Sequence, residues 1–219
     1  MIKVTYVDHM GNDLSVVNAA RVSFGKESKM RITDHIFGVE ELRAVDANLI
    51  SYLAKHHHKS PFNHAFATFH VKAPVFVARQ LQKHEYMPWN EISRRYVDSE
   101  PEFYQPDVWR GRSADKKQGS GGEVDVNMSS YKSRMLDLVR HYSKLVDMGV
   151  APEQARMVLP QSMMTEWYWS GSLYAFAKMC GLRLKPDVQA ETRYVAEEIE
   201  DNMVELFPVS WTALRAYAE

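Results

Sequence analysis

The chain has 219 residues, 25% of them charged, and a net charge of -1. That length builds one substantial core without requiring a second domain, and the near-neutral balance gives no general attraction to nucleic acid or membrane surfaces. A single cysteine, Cys180, excludes an intrachain disulfide framework and a multi-cysteine zinc site. No stretch has the character of a signal core or the length of a membrane span, so a cytoplasmic setting is expected.

Ile2–Val7 alternates and reads as a strand. Asp13–Arg21 reads as a helix with Leu14, Val17 and Ala20 on one face, and Gly25–Thr33 as a loop. A helix is expected over Glu40–His56, burying Leu42, Val45, Leu49 and Leu53, with a break at Pro61. Ala65–Val71 alternates as a strand, with Ala65, Ala67 and Phe69 on one face and Phe66, Thr68 and His70 on the other. Pro74 suits the first turn of a helix running to about Lys83. A turn follows near Pro88, then a short strand over Arg94–Val97.

Residues 110–127 are rich in Gly, Ser and charge and read as a mobile loop. Asn127–Met148 is a helix with Tyr131, Met135, Leu138, Tyr142 and Leu145 in line, and Pro152–Arg156 a single turn. Met163–Trp169 reads as a strand. The next helix starts at Gly171 or Ser172 and stops at Gly181 as a C-cap. Pro186–Phe207 forms the last long helix, with Val188, Thr192, Val195, Ile199, Met203 and Leu206 on one side. Pro208 stops it, and Ser210–Tyr217 is a short helix. The pattern is α+β in one domain over residues 1–219: a small mixed or antiparallel sheet covered by several helices.

Four clusters carry candidate chemistry. Arg79 and Lys83 share one face of the helix after Pro74, and Gln80 and His84 the next. They read either as a solvated face or as a clamp for an anion and a base edge. Asn90, Glu91, Ser93, Arg94 and Arg95 form either a salt-bridged turn or a second convergent set. Arg156 stands among apolar residues in "ARMVLP". Arg183 lies between two helices in "LRLKPDVQAE", with Gln189 near a helix start.

His56, His57, His58, His64 and His70 invite a metal reading, but consecutive histidines rarely converge and no His-Glu-x-x-His pattern is present, so no metal site is assigned. Cys180 sits at an apolar helix end and reads as a buried structural thiol. Neither a Gly-x-Gly-x-x-Gly turn nor a Walker loop is present.

The stretch "SPFNHAFATFHVKAPVFVARQLQKHEYMPWNEISRRYV" resembles the signature region of the flavin-dependent thymidylate synthases. These often carry an Arg-His-Arg triplet shortly before an Asn-Glu-x-Ser-x-Arg-Tyr segment. "AARVSFGK", "ARMVLPQSMMTEWYWSGSL" and "LRLKPDVQAE" match the family's pattern in order and approximate spacing. The resemblance implies a fold of the thymidylate synthase-complementing type. It implies reductive methylation of dUMP to dTMP, with methylenetetrahydrofolate giving the carbon, reduced FAD the hydride and NADPH the electrons that reload the flavin. The family's homotetramer shares its sites between subunits.

By the same resemblance, Gln80, Lys83, Glu91, Ser93, Arg94, Arg95, Arg156 and Arg183 would contact dUMP. Arg183 would favour ionised N3 of the pyrimidine. FAD would touch Ser23, His58, Ser60, Lys83, His84, Glu85, Glu91 and Ser172. The chain departs from the family in Lys83-His84-Glu85 for Arg-His-Arg and in Asn63 for a common glutamate. Tyr174, Lys178 and Asp187 stand where an Arg, an Asn and a His are frequent. Two other readings stay open: a family member that binds nucleotide or flavin without efficient turnover, and a nucleic-acid-binding module built on Lys83, Arg94, Arg95, Arg110 and Arg112.

Overall fold

The computed structural model describes residues 1–34, 37–97, 99–113 and 119–217. Its centre is an antiparallel sheet of β1 (Lys3–Met10), β4 (Phe66–Pro74), β6 (Met164–Ser172) and β5 (Trp89–Glu91), in the spatial order β1-β4-β6-β5. A separate hairpin pairs β2 (Arg31–Asp34) with β3 (Val39–Glu41). Helices α1 (Asp13–Arg21), α2 (Ala44–Lys55) and α3 (Val75–Leu81) precede a long excursion. Then come α4 (Met128–Asp147), α5 (Pro152–Ala155), α6 (Leu173–Arg183), α7 (Ala190–Leu206) and α8 (Pro208–Ala216). Among the described residues no helix is long and apolar enough to cross a membrane.

The period-two alternation of β4 sets the layers. Ala67, Phe69, Val71 and Ala73 are buried, and across the ladder so are Trp167, Trp169 and Gly171 of β6. Phe176 of α6 meets Phe69 and Trp169 edge-on at 5.2 and 5.4 Å. Val195, Ile199 and Met203 of α7 and Trp211 of α8 complete this core. The opposite face is polar and half-exposed: Thr68 and Ser170 share a hydrogen bond at 2.9 Å, and His70 lies 3.4 Å from Glu166. Gly171 is the point of closest approach. A Cβ there would come within 2.9 Å of Met87 Cε and 3.2 Å of Phe176, so the missing side chain lets the turn before β5 pack on the sheet.

Local signals explain the helix ends. Asn12 caps α1 reciprocally: its Oδ1 accepts from the Ser15 N–H at 3.1 Å, while the Asn12 N–H donates to Ser15 Oγ at 3.1 Å. Asn12→Ala should therefore lower stability by about 1 kcal/mol, read as a shifted urea midpoint at unchanged slope. Asp13, buried on α1, accepts from the N–H groups of Val209 and Ser210 at 3.0 and 2.8 Å. It thus fixes the start of α8 to the N-terminal part of the chain.

Several expectations need correction. Arg94–Val97 is a turn; the strand lies earlier, at Trp89–Glu91, where Trp89 stacks on Trp167 at 4.3 Å. Gly181 is inside α6, which continues to Arg183 because Leu184 N–H still bonds to the Cys180 carbonyl at 2.9 Å. The loop expected at Gly25–Thr33 ends in β2, and Glu40 belongs to β3. On α2 the buried stripe is Asp46, Ile50, Leu53 and Ala54, with Val45 facing out. The last long helix starts at Ala190, not Pro186. Part of the segment expected to be a mobile loop is ordered: Gly111 exchanges backbone hydrogen bonds with Gly121 and Gly122. Residues 114–118 lie outside the described residues.

Candidate active site

Ser172 ends β6 and caps α6, its Oγ accepting from the Ala175 N–H at 3.2 Å and donating to Asn63 Oδ1 at 2.7 Å. The start of α6 thereby forms one wall of a cleft of about 640 Å³. Lys178 and Arg183 line it from α6, Lys59 and Asn63 from the segment before β4, and Lys83, His84, Glu85 and Tyr86 from the turn after α3. Four cationic side chains thus line the cleft with one acid, which gives it a positive field that favours anions. Tyr86 is exposed and takes φ of 60°, a backbone conformation costly for a residue with a Cβ and found most often where a site must be shaped.

Arg183 is held at the end of α6 by two acceptors. Its Nε donates to His84 Nε2 at 3.0 Å and Nη2 to the Gln80 carbonyl at 2.9 Å. Burial pulls its pKa down from the ordinary value, yet a guanidinium stays charged at neutral pH. Burial first, then the charges of Arg183 and Lys178, lower His84 to about 4. The imidazole is therefore neutral at pH 7. A smaller cleft of about 240 Å³ shares Lys59, Tyr174 and Lys178 with the first and adds His57, His58 and Tyr217.

A third cleft, of about 480 Å³, gathers Arg79, Glu91, Arg94 and Arg156. Glu91 is locked by Thr165 Oγ1 at 2.6 Å and Trp89 Nε1 at 3.1 Å, so its carboxylate is oriented before any ligand arrives. Arg156 Nε donates to the Glu153 carbonyl at 3.3 Å, and Arg94 to the Ser99 carbonyl.

The residues expected from sequence therefore fall into two groups within one chain. Lys83, His84, Glu85, Ser172 and Arg183 share the first cleft; Glu91, Arg94 and Arg156 share the third. Gln80 does not line the first cleft: its carbonyl accepts from Arg183, and its side chain turns to Gln189, donating to Oε1 at 2.6 Å. His58 lines the adjoining small cleft. Ser93 and Arg95 sit in an exposed turn, where Arg95 bonds to Ser93 Oγ and lies over Tyr96 at 4.9 Å. Ser23 lies in the exposed one-turn helix Val22–Phe24, and Ser60 beside Lys59.

Sequence reasoning missed Lys59, whose place beside three histidines hid it, and Thr165, which only the β5–β6 register brings to Glu91. It also missed the ion pair of Arg110 with Glu191, which borders a cavity of about 550 Å³ lined by Phe76, Tyr104, Trp109 and Tyr131. Burial would raise the Glu191 carboxyl, but Arg110 outweighs it and holds it low. Cys180 is fully buried, and burial raises its thiol well above the ordinary range. Among the described residues no three His, Cys, Asp or Glu side chains are grouped as a metal would need.

The family model described as "Thymidylate synthase complementing protein" matches residues 5–209. A flavin-dependent thymidylate synthase of Thermus thermophilus is 39% identical over 216 residues, covering 98% of this chain and 76% of that protein. The enzyme of the same description from Thermosipho africanus is 37% identical over 220 residues, covering 97% and 90%. Among solved structures, the UMP/dUMP methylase PolB from Streptomyces cacaoi bound with 5-Br dUMP superposes with a TM-score of 0.83 at 32% identity. That match covers 100% of this chain and 96% of that one.

Proposed function

Because the chain belongs to the thymidylate synthase complementing protein family, we propose that it is an FAD-dependent thymidylate synthase that reductively methylates dUMP to dTMP. The carbon comes from methylenetetrahydrofolate, and NADPH reloads the flavin. The enzyme works in the cytoplasm as a homotetramer that shares its sites between subunits.

The observation that carries this reading is the pairing of Arg183 in a cationic cleft with the complete burial of Cys180. Cys180 is the chain's only cysteine. Methylation through an activated thiol is therefore not open to this chain, whereas activation by a placed cation is. Arg183 stabilises negative charge at N3 of the pyrimidine, which raises electron density at C5, the atom that accepts the carbon.

Lys83, Arg94, Arg95 and Arg156 supply cations for the phosphate, and Gln80, Glu91 and Ser93 supply polar partners for the base and sugar. The separation of these groups into two clefts of one chain, with Ser93 and Arg95 on an exposed turn, supports completion of each site by a second copy.

The residues present fit a dianionic dinucleotide such as FAD: the first cleft and its smaller neighbour share a wall containing Lys59 and Lys178. Ser23, His58, Ser60, Lys83, His84, Glu85, Glu91 and Ser172 would hold it. When bound, the flavin supplies the hydride chemistry, and the protein orients it and excludes water. Glu85 puts a negative charge where relatives often carry arginine, so Lys59, Lys83 and Lys178 must supply the countercharge.

Purified full-length protein, dUMP tritiated at C5, NADPH and methylenetetrahydrofolate provide the test. Tritium release that needs every component is expected. Flavin and dUMP binding without release would overturn the reading and favour a chain that the Lys83-His84-Glu85 change has left without turnover.

A further inference from the structure

The contact between His84 and Arg183 carries more than packing. Arg183 Nε donates to Nε2 of the imidazole, and Nη2 to the Gln80 carbonyl. Nη1 has no hydrogen-bond partner among the described residues. An imidazole nitrogen accepts only when unprotonated, so this geometry selects the neutral tautomer with its proton on Nδ1.

The groups around the ring agree. Lys178 and Arg183 face it from α6, Lys83 and Glu85 flank it, and Lys59, Tyr86 and Tyr174 line the same cleft. Trp169 of β6 lies 6.5 Å away. Cations outnumber acids, and a second positive charge on the ring is disfavoured, as the depressed His84 pKa reflects.

We propose that His84 is a positioning residue for Arg183. Its neutral Nε2 and the Gln80 carbonyl grip one edge of the guanidinium, so that Nη1 is the group presented to the pyrimidine, while Nδ1–H remains free to donate to the cofactor. The proposal rests on the reading of Arg183 given above and extends it to a neighbour. A lysine at position 183 could not be gripped in this way, because its single ammonium has no rigid edge.

The test compares flavin-loaded wild type with His84→Ala and His84→Gln; the amide oxygen of Gln can accept where the methyl cannot. At saturating FAD, His84→Ala should lower kcat about 10–100-fold with a smaller change in KM for dUMP, and the loss of its own cofactor contact should show separately as weaker FAD binding. His84→Gln should recover most of that loss. A second readout needs no turnover: the Arg183 Nε–H signal in nitrogen-15 NMR, assigned by its loss in Arg183→Lys. It should be protected from exchange at pH 7 in wild type and exposed in His84→Ala.

The proposal fails if His84→Ala regains wild-type kcat once FAD is saturating, if His84→Gln is no better than His84→Ala, or if the wild-type Nε–H exchanges freely. The last criterion decides the matter even where the alanine variant does not fold. A protected Nε–H in a protein that methylates nothing would support the grip and count against the reaction alone.

Discussion

Arg183→Ala is expected to lower dUMP turnover by about 10²–10³-fold, the range seen when one preorganised electrostatic donor is removed, while the protein stays folded and flavin-bound. The expectation of a folded variant follows from where the side chain sits. Arg183 closes α6 at the rim of the cleft, whereas Phe176, Ala177, Met179 and Cys180 carry that helix's contact with the core. Its removal leaves His84 Nε2 and the Gln80 carbonyl without this donor, but His84 lines an open cleft, and the space vacated by the Arg183 side chain lets water reach both acceptors. The stability cost should be about 1 kcal/mol or less.

Arg183→Lys keeps the charge and loses the grip, so it should fall between alanine and wild type. Turnover of Arg183→Ala within about tenfold of wild type would remove Arg183 from the reaction, since that loss is smaller than a lost charge donor produces.

The same substitution has a signature in acid. Folded His84 titrates near 4, below the 6.5 of a free imidazole, because burial and the Arg183 and Lys178 charges oppose a proton. Its contribution to stability is complete above about 6.5 and is lost as pH falls through that window to about 4, since the unfolded chain takes up the proton first. Removing Arg183 removes the second cause of the shift and leaves burial. The His84 titration should move upward in Arg183→Ala without reaching the free value, and NMR of the imidazole Cε1–H would follow it.

What the sequence disclosed depended on range. Elements set by neighbouring residues were readable: Asp13–Arg21 from its apolar stripe, α4 from a long periodic face, and the β4 alternation that buries Phe69. Elements set by distant partners were not. β5 exists because Trp89, Asn90 and Glu91 pair with Trp169, Tyr168 and Trp167, far along the chain. No local pattern marks Trp89–Glu91 above the charged turn that follows it, so the sequence alone points to Arg94–Val97 instead. The β2–β3 hairpin is local and escaped for a different reason: its strands are short and exposed and carry no apolar alternation.

In the candidate site, the ordered motifs named residues that stand close together in the sequence. The β5–β6 pairing instead carries Glu91 toward Arg156, while the turn after α3 carries Lys83 and His84 toward Arg183. Adjacency in the chain was a poor guide because a turn separates the two sets and points them into different clefts. Arg110 with Glu191 escaped because only a fold that docks the 103–110 segment on α7 joins them.

Arg21→Ala should cost about 3 kcal/mol, the lower end of the penalty for breaking a buried pair because Ser28 and Arg43 remain beside the carboxylate, and lower the melting temperature by roughly 6–12 °C for a chain of this size. Asp46 is fully buried in the first turn of α2. Its Oδ1 accepts from Arg21 Nη2 at 2.6 Å, Arg21 Nε at 3.2 Å and Ser28 Oγ at 2.8 Å, while Arg43 Nε lies 3.9 Å from Oδ2. The two partners are not equivalent. Arg21 keeps 23% of its side chain exposed and can turn to water when Asp46 is removed, whereas the carboxylate has no such route. Asp46→Ala should therefore cost less, chiefly the unmade hydrogen bonds.

The double variant should be no worse than Arg21→Ala alone, because the stranded charge has gone. Urea melts of the three proteins give the comparison, and an Asp46→Ala loss equal to or larger than that of Arg21→Ala would contradict the asymmetry. The pair matters beyond stability, since Arg21 and Ser28 bracket Ser23 and both are tied to this one carboxylate. Weaker flavin binding by folded Asp46→Ala would then tie the placement of Ser23 to this anchor, and undiminished binding would take Ser23 out of the cofactor's contacts.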